Sequence, residues 1–540
     1  MARHGCRAQS RLVVDDGIRA GVSSRGTTPR SRGLRLGQLG PLLLLVVVTS
    51  AVYANSLHNN FLFDDLETIV EAQGRGGPGQ LTPLFSLLQG KPAYRPIRSA
   101  SYAFDYALSG LDPWGYHLTN IAYHTLSAIV VFLIAQSVFN RLIPALFTAI
   151  LFAVHPIQTE AVTYLSGRRD VLSGLFVLTG FYMFLRYRQT GRGGYLATVL
   201  LLYLLAFFSK ESGIILPLLC FSYDVISRIR VKEPGIGLPP VREIWVGVRS
   251  AVREGRLFYI PLMVLAGGLA LYVLFLVRGT WVRTYYGGSL PFTGFTMSRV
   301  FLHYIALLLF PLTLNADYSY NAFPVTTSWA DPNAWVAVLI LGMLGYGLLV
   351  CLKSRPLVAF GGAWFFLALL PVSQIVPHHE MMAEHFLYVP SVGFCLVVAA
   401  LADSLLDSPR RVPAIYSAAL AALLLLSFRT VWRNTDWRDE LTLWSKTVQV
   451  APQSARARNN LGSAYLRRGQ LTRAEQELET AVQIKPDFAV AHGNLGKIAL
   501  DRDDLERAER ELQTAIGLKA NEVIPRLWLG AVYMRRGRVA

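Results

Sequence analysis

The chain has 540 residues, of which 53% are hydrophobic and 16% charged, and its formal net charge is +17 at pH 7. Its mean hydropathy of +0.37 excludes an ordinary water-soluble protein and indicates a polytopic membrane protein. An excess of arginine is then first a topology signal, and nucleic-acid binding is not expected because no basic patch interleaved with aromatic residues occurs. Cys220, Cys351 and Cys395 lie inside apolar runs, so neither a disulfide framework nor a zinc site is indicated.

The first element in chain order is a basic tail. Residues 1–35 hold eight arginines against two aspartates and show no apolar period, which predicts a disordered segment on the cytoplasmic side. The apolar run 36–54 follows and is long enough to be the first membrane span. Val52-Tyr53-Ala54 resembles a signal cleavage site, so a cleaved signal sequence is the alternative to an uncleaved anchor.

A first exterior loop is expected over residues 55–116, and it opens with two adjacent carboxylates, Asp64 and Asp65, among the aromatic residues Phe61 and Phe63. A carboxylate just past a membrane boundary is partly desolvated, and desolvation raises its pKa toward the range useful for a general base. An ordinary acidic loop beside the membrane is the alternative interpretation.

Ten further spans are predicted from apolar runs, at residues 118–139, 142–155, 171–187, 195–208, 213–227, 257–277, 334–352, 356–372, 388–404 and 412–428. The run 300–312 is short and Pro311 closes it, so it is expected to be re-entrant or to lie in the interface. With eleven spans, all the basic segments fall on the cytoplasmic side, as the positive-inside rule requires. These segments are 1–35, 186–192, 228–256, 353–355 and 410–411.

Five loops with ionisable residues then gather on the opposite, periplasmic or luminal face. Ionisable groups at a membrane edge are costly and often functional, although each alone can be a snorkelling anchor or a structural ion pair. The loops carry Asp64 and Asp65 with Arg95 and Arg98; His155, Glu160, Arg168, Arg169 and Asp170; Lys210 and Glu211; Asp317; and Glu384, His385 and Tyr388.

A repeat follows the last predicted span. Asn460-Leu461-Gly462 recurs as Asn494-Leu495-Gly496 and then as Trp528-Leu529-Gly530, at a spacing of 34 residues. A period of 34 with small residues at helix contacts is the signature of tetratricopeptide repeats (TPRs). Residues 436–540 are therefore predicted to form TPRs on the exterior side, with 437–450 as the second helix of an incomplete first repeat. One helix ends the last repeat, so a longer array or a capping partner is expected.

The exterior residues suit transfer of a group from a lipid-linked phosphate. Asp64 is placed to take a proton from an acceptor hydroxyl, and no glycine-rich nucleotide loop occurs. Asp64 and Asp65 are also ligands of the kind that Mg²⁺ or Mn²⁺ takes, although no further carboxylates are spaced as a dedicated site. The cations expected to neutralise a phosphate or pyrophosphate are Arg95, Arg98, Arg168, Arg169 and Lys210.

Taken in order, these motifs resemble the transmembrane and TPR-repeat-containing (TMTC) family over about residues 36–540. The motifs are Phe63-Asp-Asp65, Arg95-Pro96, His155-Pro-Ile-Gln-Thr-Glu160, Gly167-Arg-Arg-Asp170, Ser209-Lys-Glu-Ser212 and Glu384-His-Phe-Leu-Tyr-Val-Pro390, followed by TPRs. That family belongs to the GT-C glycosyltransferase superfamily, together with protein O-mannosyltransferases. The resemblance implies an all-α architecture, with a GT-C-type transmembrane bundle over 36–430 and a TPR α-solenoid after it.

The resemblance also implies the chemistry. It points to an inverting transferase that moves a sugar, mannose in the protein O-mannosyltransferases, from a polyprenyl-phosphate donor in the membrane to a hydroxyl acceptor such as Ser or Thr of a protein. It maps the general base to Asp64, with Asp65 beside it, and the TPRs would present acceptor protein. His385 departs from the pattern, which has arginine there, and a neutral histidine is a weaker phosphate partner.

Three points stay open in the sequence. The prominent arginine usage favours a bacterial inner membrane with a periplasmic site, and the endoplasmic reticulum with a luminal site is the alternative. A membrane-anchored TPR adaptor without chemistry is the second functional hypothesis. A transporter is the third, and it is disfavoured because the ionisable groups lie at membrane edges, whereas transporter sites usually lie near the midplane.

Overall fold

The computed structural model describes residues 36–71, 95–229, 237–276, 284–319, 322–378, 380–406, 408–519 and 523–537. Within these ranges every regular element is helical, which confirms the all-α prediction. Two compact units form: a membrane unit, which comprises the chain up to Leu312 with Thr326–His379 and Glu384–Thr435, and a repeat unit, which comprises Thr313–Val325, Glu380–Ala383 and Asp436–Ala540. The predicted tail 1–35 and residues 72–94 of the first exterior loop lie outside the described residues.

The membrane unit packs around a helical core in which Phe132, Phe152, Phe181 and Trp364 are buried. Phe181 meets Trp364 edge-on, with ring centroids 4.8 Å apart, a favourable aromatic geometry. The main helices are α1 (Leu36–Tyr53), α2 (Pro96–Ser109), α3 (Pro113–Phe139), α4 (Leu142–Val154), α5 (Arg168–Thr190), α6 (Gly193–Ser209), α7 (Leu216–Arg228), α8 (Val241–Leu276), α9 (Leu290–Leu309), α10 (Pro332–Ser354), α11 (Pro356–Ala368), α12 (Pro390–Leu405) and α13 (Val412–Asn434).

Several of these helices are suited to cross a bilayer. In the described part of the chain, six are long and apolar enough, and a seventh span results if the bent pair Leu142–Val154 and Pro156–Val162 is counted as one. Shorter apolar helices occupy Gly193–Ser209, Pro356–Val372 and Pro390–Leu405. The chain is therefore a multi-pass membrane protein, while the count of eleven spans stays a prediction.

Helix α9 corrects one premise of the sequence analysis. The run 300–312 was expected to be short, but it is the second half of a 20-residue helix that begins at Leu290, where the Ser289 hydroxyl caps the Phe292 N–H and Pro291 stands in the first turn. By length and composition α9 passes as a span.

The two ends of α9 are held by residues of predicted exterior loops. The His155 Nε2 lies 2.9 Å from the Leu308 carbonyl oxygen, at the end of the helix. Tyr286, just before the helix, donates its hydroxyl to the His378 carbonyl at 3.3 Å. These contacts support a helix that lies along one face of the membrane unit, so we retain the prediction that this segment does not cross.

The repeat unit confirms the TPR prediction. Gly462 packs against Leu478 and Gly496 against Leu512, and an added Cβ would lie 2.7 Å and 2.6 Å from the respective Leu Cγ atoms. Identical small-on-large contacts 34 residues apart are what the sequence period requires. The helices are α14 (Glu440–Val450), α15 (Ala455–Arg467), α16 (Leu471–Ile484), α17 (Ala489–Asp501), α18 (Leu505–Leu518) and α19 (Val523–Arg535).

Candidate active site

Asp65 links the first exterior loop by hydrogen bonds to the segment that precedes α5. Its side chain is 1% exposed, and its Oδ1 accepts hydrogen bonds from the Ser166 N–H at 2.7 Å and the Ser166 hydroxyl at 2.6 Å. The Oδ2 accepts from the Leu62 N–H at 3.0 Å. Burial raises the pKa of Asp65 to about 7, and these hydrogen bonds oppose that rise. Both oxygens are thus occupied by the protein itself.

Asp64 is placed differently. It is half-buried, its N–H donates to the Tyr164 hydroxyl at 3.2 Å, and its carbonyl accepts from the Thr68 hydroxyl at 2.7 Å. Among the residues that the structure describes, none forms a hydrogen bond or ion pair with the Asp64 carboxylate. Phe63, just before it, has a φ of 47°, an uncommon conformation for a bulky residue that is typical of functional loops. The backbone is therefore fixed while the carboxylate is available.

Arg168 is a structural residue, although the sequence grouped it with the phosphate-binding cations. It is fully buried, and its Nε donates to Asn120 Oδ1 at 2.6 Å and one amino group to the Tyr116 carbonyl at 2.8 Å. It pairs with Asp105 and stacks over the Tyr102 ring, 4.7 Å from its centroid. These partners join the start of α5 to α2 and α3, and they leave the guanidinium no room for a phosphate.

Three other predicted cations have carboxylate partners. Arg95 pairs with Glu211 at 3.1 Å. Asp170 lies 3.5 Å from the Arg169 Nε and 2.5 Å from the Lys210 Nζ. A phosphate at these positions would have to compete with a carboxylate that is already in place.

Arg98 is the predicted cation with the least compensation. It forms no ion pair with any described residue, and its buried Nε has no hydrogen-bond partner in that part of the chain. Burial lowers the pKa of Arg98, as do the neighbouring Arg95 and Arg169, whereas Asp64 raises it. A guanidinium at the start of α2 that lies over the Tyr102 ring and within the electrostatic reach of Asp64, but has no ion-pair partner among the described residues, is therefore suited to an anionic ligand.

The segment 384–390 packs against the segment 155–160. The His385 Nδ1 lies 2.8 Å from Glu160 Oε1, and the His385 N–H donates to Glu160 Oε2 at 2.9 Å. Glu384 is fully buried, 3.6 Å from Arg433. His155 accepts the Ile157 N–H and so caps the turn that holds Glu160.

A cleft opens beside this pair of segments. The Tyr388 hydroxyl in its wall lies 2.9 Å from His124. Polar and apolar side chains share the lining, among them Asp170, Ser173, Lys210, Ser212, Ile215, Val372, His385, Phe386 and Tyr388.

Asp317 does not join this group. The structure places it in the repeat unit, where it pairs with Arg456 and accepts from the Ser454 hydroxyl at 2.7 Å. The segment 313–325 had been assigned to the transmembrane domain because it lies between apolar runs, and nothing in its composition signals that it packs with TPR helices.

Ser166 and Asn434 were missed by the sequence analysis. Ser166 stands directly before the Gly167-Arg-Arg-Asp170 motif, which is the one available signal. The Asn434 amide donates to the Val52 carbonyl at 2.9 Å and accepts from the Thr163 hydroxyl at 2.8 Å. These partners lie hundreds of residues away, so no local pattern marks the residue.

The Asp64/Asp65 pair does not fit the divalent metal that the sequence left open. Both Asp65 oxygens face N–H or O–H donors, which a cation would repel. Across the described ranges no group of three or more His, Cys, Asp or Glu side chains is arranged to hold an ion.

Comparison with known proteins confirms the resemblance drawn from the motifs. Residues 96–238 match the family model for dolichyl-phosphate-mannose-protein mannosyltransferase, and residues 425–487 and 465–528 match tetratricopeptide repeat models. Two crystal structures of ArnT from Cupriavidus metallidurans are also similar. The one bound to undecaprenyl phosphate has a TM-score of 0.37 and 16% identity, covering 87% of this chain and 80% of that one. The apo structure has a TM-score of 0.41 and 14% identity, with 93% and 89% covered.

Three curated relatives share the TMTC or O-mannosyl-transferase name. Protein O-mannosyl-transferase F38B6.6 of Caenorhabditis elegans is 26% identical, over 84% of this chain and 63% of its own length. The human TMTC3 is 28% identical, over 79% and 49%, and the human TMTC4 is 27% identical, over 80% and 64%. The chain thus spans about half to two thirds of the length of these relatives. The chain is thus similar to TMTC proteins, with a segment that matches the protein mannosyltransferase model followed by segments that match tetratricopeptide repeat models.

Proposed function

We propose that the chain is a membrane glycosyltransferase that moves mannose from a polyprenyl-phosphate-linked donor to a Ser or Thr hydroxyl of a protein. The names of the relatives and the mannosyltransferase family model support the reaction class. The observation in this chain that carries the proposal is the Asp64 carboxylate. It is half-buried on a hydrogen-bonded loop, lacks a partner among the described residues, and lies within electrostatic reach of Arg98.

In the proposed reaction each of these residues has a role. Asp64 takes the proton of the acceptor hydroxyl as its oxygen forms a bond to the anomeric carbon of the sugar. The bond from that carbon to the phosphate oxygen breaks on the opposite face, so the configuration inverts. The negative charge that develops on the lipid phosphate is stabilised by Arg98, because a charge-assisted contact strengthens as the charge grows. Asp65 acts as a positioning residue through Ser166 and Leu62.

The orientation is part of the same proposal. The charge distribution supports an N-terminus in the cytoplasm and a candidate site on the periplasmic or luminal side, where the TPRs would bring acceptor polypeptide. The bacterial inner membrane is the location that the arginine usage favours.

The test is the initial rate of mannose transfer by purified protein in lipid, from a radiolabelled polyprenyl-phosphate mannose to a Ser/Thr peptide. Asp64→Asn should lower the rate by about 10²- to 10⁴-fold, the usual cost of losing a general base, while donor binding and melting temperature stay near wild type. Glu67→Gln is the matched control, since Glu67 is an exposed acid on the same loop, and it should retain activity.

Two results would contradict the proposal at different levels. A folded Asp64→Asn variant with wild-type turnover removes Asp64 as the base. A wild-type protein that turns over no polyprenyl-phosphate sugar removes the transferase and leaves the membrane-anchored TPR adaptor.

A further inference from the structure

Helix α8 carries an exposed strip of arginines along its N-terminal half. Arg242, Arg249, Arg253 and Arg256 are all exposed. At 3.6 residues per turn they fall within about 60° around the helix axis. None of the four forms an ion pair with another residue in the part of the chain that the structure describes. Although Glu254 lies within electrostatic reach of Arg253, four cations without an ion-pair partner among the described residues make this narrow strip positive.

Apolar side chains flank this arginine strip on both sides. Val241 is 68% exposed and Trp245 66% exposed on one flank, and Leu257 is 71% exposed on the other, with Val246 and Val252 also exposed. A helix surrounded by water would gain by hiding such side chains. A helix at a bilayer interface exposes them to the acyl boundary while its arginines reach the headgroups.

The outward direction of the strip is fixed by packing. Gly247, Ala251 and Gly255 lie on the opposite face and let α8 approach α7 closely. A Cβ at Gly247 would lie 3.1 Å from the Val225 carbonyl oxygen. Arg228 of α7 pairs with Glu254 at 2.5 Å, which holds the two helices in register. The arginines cannot turn inward without breaking this contact.

The strip lies at the end of the membrane unit that is remote from the candidate site. Helix α5 begins at the candidate site with Arg168 and ends near Arg188, which pairs with Asp224 of α7 at 3.1 Å. The Tyr259 hydroxyl of α8 donates to the same Asp224 at 2.8 Å. Since α8 has 36 residues, it is about 54 Å long, well beyond the roughly 30 Å hydrocarbon core. Its arginine-bearing end therefore extends into the headgroup region.

We propose that the arginine strip of α8 binds the headgroups of acidic phospholipids on the bilayer face opposite the candidate site. Charge complementarity selects an anionic partner, and the exposed apolar flanks, continuous with a predicted span, select a lipid surface over an acidic protein. This property does not depend on the proposed transfer reaction.

The experiment compares lipid retention by the purified full-length protein. Wild type in mixed micelles with equal amounts of phosphatidylglycerol and phosphatidylcholine should retain more phosphatidylglycerol, counted by native mass spectrometry. Replacing the four arginines of the strip by Gln should weaken that preference at least about tenfold. A matched control removes four other cations of the same predicted membrane face, Lys353, Arg355, Arg410 and Arg411, also to Gln, and should keep the preference.

Two further measurements test whether the positive charge of the strip is what gives the lipid preference. Replacing the strip by four lysines should preserve the preference, because a headgroup layer needs charge and not the bidentate fork of arginine. Raising the salt from about 0.05 M to about 0.5 M should reduce the preference of the wild type, since screening shortens the reach of exposed charges, and this arm needs no variant to fold.

The proposal is overturned by three results. The first is equal lipid retention by wild type and the glutamine variant when both are folded by thermal melt. The second is an equal loss in the control variant, which would reduce the effect to net charge. The third is a loss in the lysine variant, which would show that retention depends on the arginine fork at a specific site and not on the positive charge of the strip.

Discussion

The two adjacent carboxylates, Asp64 and Asp65, illustrate what a sequence resolves at the scale of a residue. Residue type and depth in the chain predicted both as candidates, and desolvation was expected to raise the pKa of the base. In the structure the raised pKa belongs to Asp65, which is buried and hydrogen-bonded to Ser166 and Leu62. The carboxylate that is available to a substrate belongs to Asp64 instead. The difference depends on Ser166, about a hundred residues away, which no local pattern could supply.

Asp65 should make stability depend on pH. Its pKa in the folded chain, about 7, lies above the ordinary value near 3.9, so folding favours the protonated form. That contribution is fully present below about pH 4, falls as the pH rises, and is lost above about pH 7. Asp65→Asn should remove this slope. It should also lower the free energy of unfolding by about 1–3 kcal/mol, because its amide group faces the donor of Leu62 or Ser166. Thermal melts in lipid at pH 5, 6 and 7.5 check this, and an unchanged slope in the variant would contradict it.

Arg98 and Arg168 should respond oppositely to the same substitution. Arg98→Gln should weaken donor binding by roughly ten- to a hundredfold, the loss of a contact worth about 1.5–3 kcal/mol, with little change in melting temperature. Arg168→Gln leaves the buried Asp105 without its cation and should cost about 3–5 kcal/mol of stability.

Arg95→Ala and Lys210→Ala should weaken donor binding less than Arg98→Gln, since carboxylates already hold those two cations. Donor titration beside a thermal melt measures both effects, and wild-type affinity in Arg98→Gln would refute its assignment.

At the scale of elements, the periodic pattern of the sequence predicted the repeat helices well, whereas hydropathy predicted the ends of a membrane-unit helix less well. The period of 34 predicted the TPR helices, because each contact such as Gly462 on Leu478 recurs at fixed spacing. The start of α9 was missed because Thr293, Gly294 and Thr296 dilute the hydropathy of its first half. The cap Ser289 and the following Pro291 were present as a helix-start signal, so capping residues would have located the boundary that hydropathy did not.

Helix α9 should have both ends on the exterior side. In a background without the native cysteines, Gly288→Cys and Phe310→Cys should both react with an impermeant maleimide in intact cells. The reason is that Tyr286 and Leu308 contact His378 and His155, which belong to predicted exterior loops. Arg249→Cys on α8 serves as the interior control and should react after permeabilisation only. Labelling of one α9 position without the other would show that the helix crosses, and the spans after it would reverse.

At the scale of the whole molecule, the sequence located the change of character near residue 436, and the repeat unit does begin its main segment at Asp436. It could not show that Thr313–Val325 and Glu380–Ala383 also belong to that unit. Membership there rests on contacts such as Asp317 with Arg456, which join segments far apart in the chain. Charge asymmetry, in contrast, can be read from the sequence without any long-range contact, and the prediction of the orientation therefore rests on it.

The orientation can be tested with one cysteine on each side. Pro240 precedes the arginine strip of α8 and Gln470 lies at the start of α16, and both are exposed. Because basic segments are retained in the cytoplasm, Pro240→Cys should react with an impermeant reagent after permeabilisation alone, and Gln470→Cys should react in intact cells. The reverse pattern would invert the chain. It would leave the arginine strip of α8 opposite the candidate site but place Asp64 in the cytoplasm, where a periplasmic or luminal acceptor could not reach it. Labelling of both positions in intact cells would instead require an even number of crossings between them, and the predicted spans after α8 would have to be reassigned.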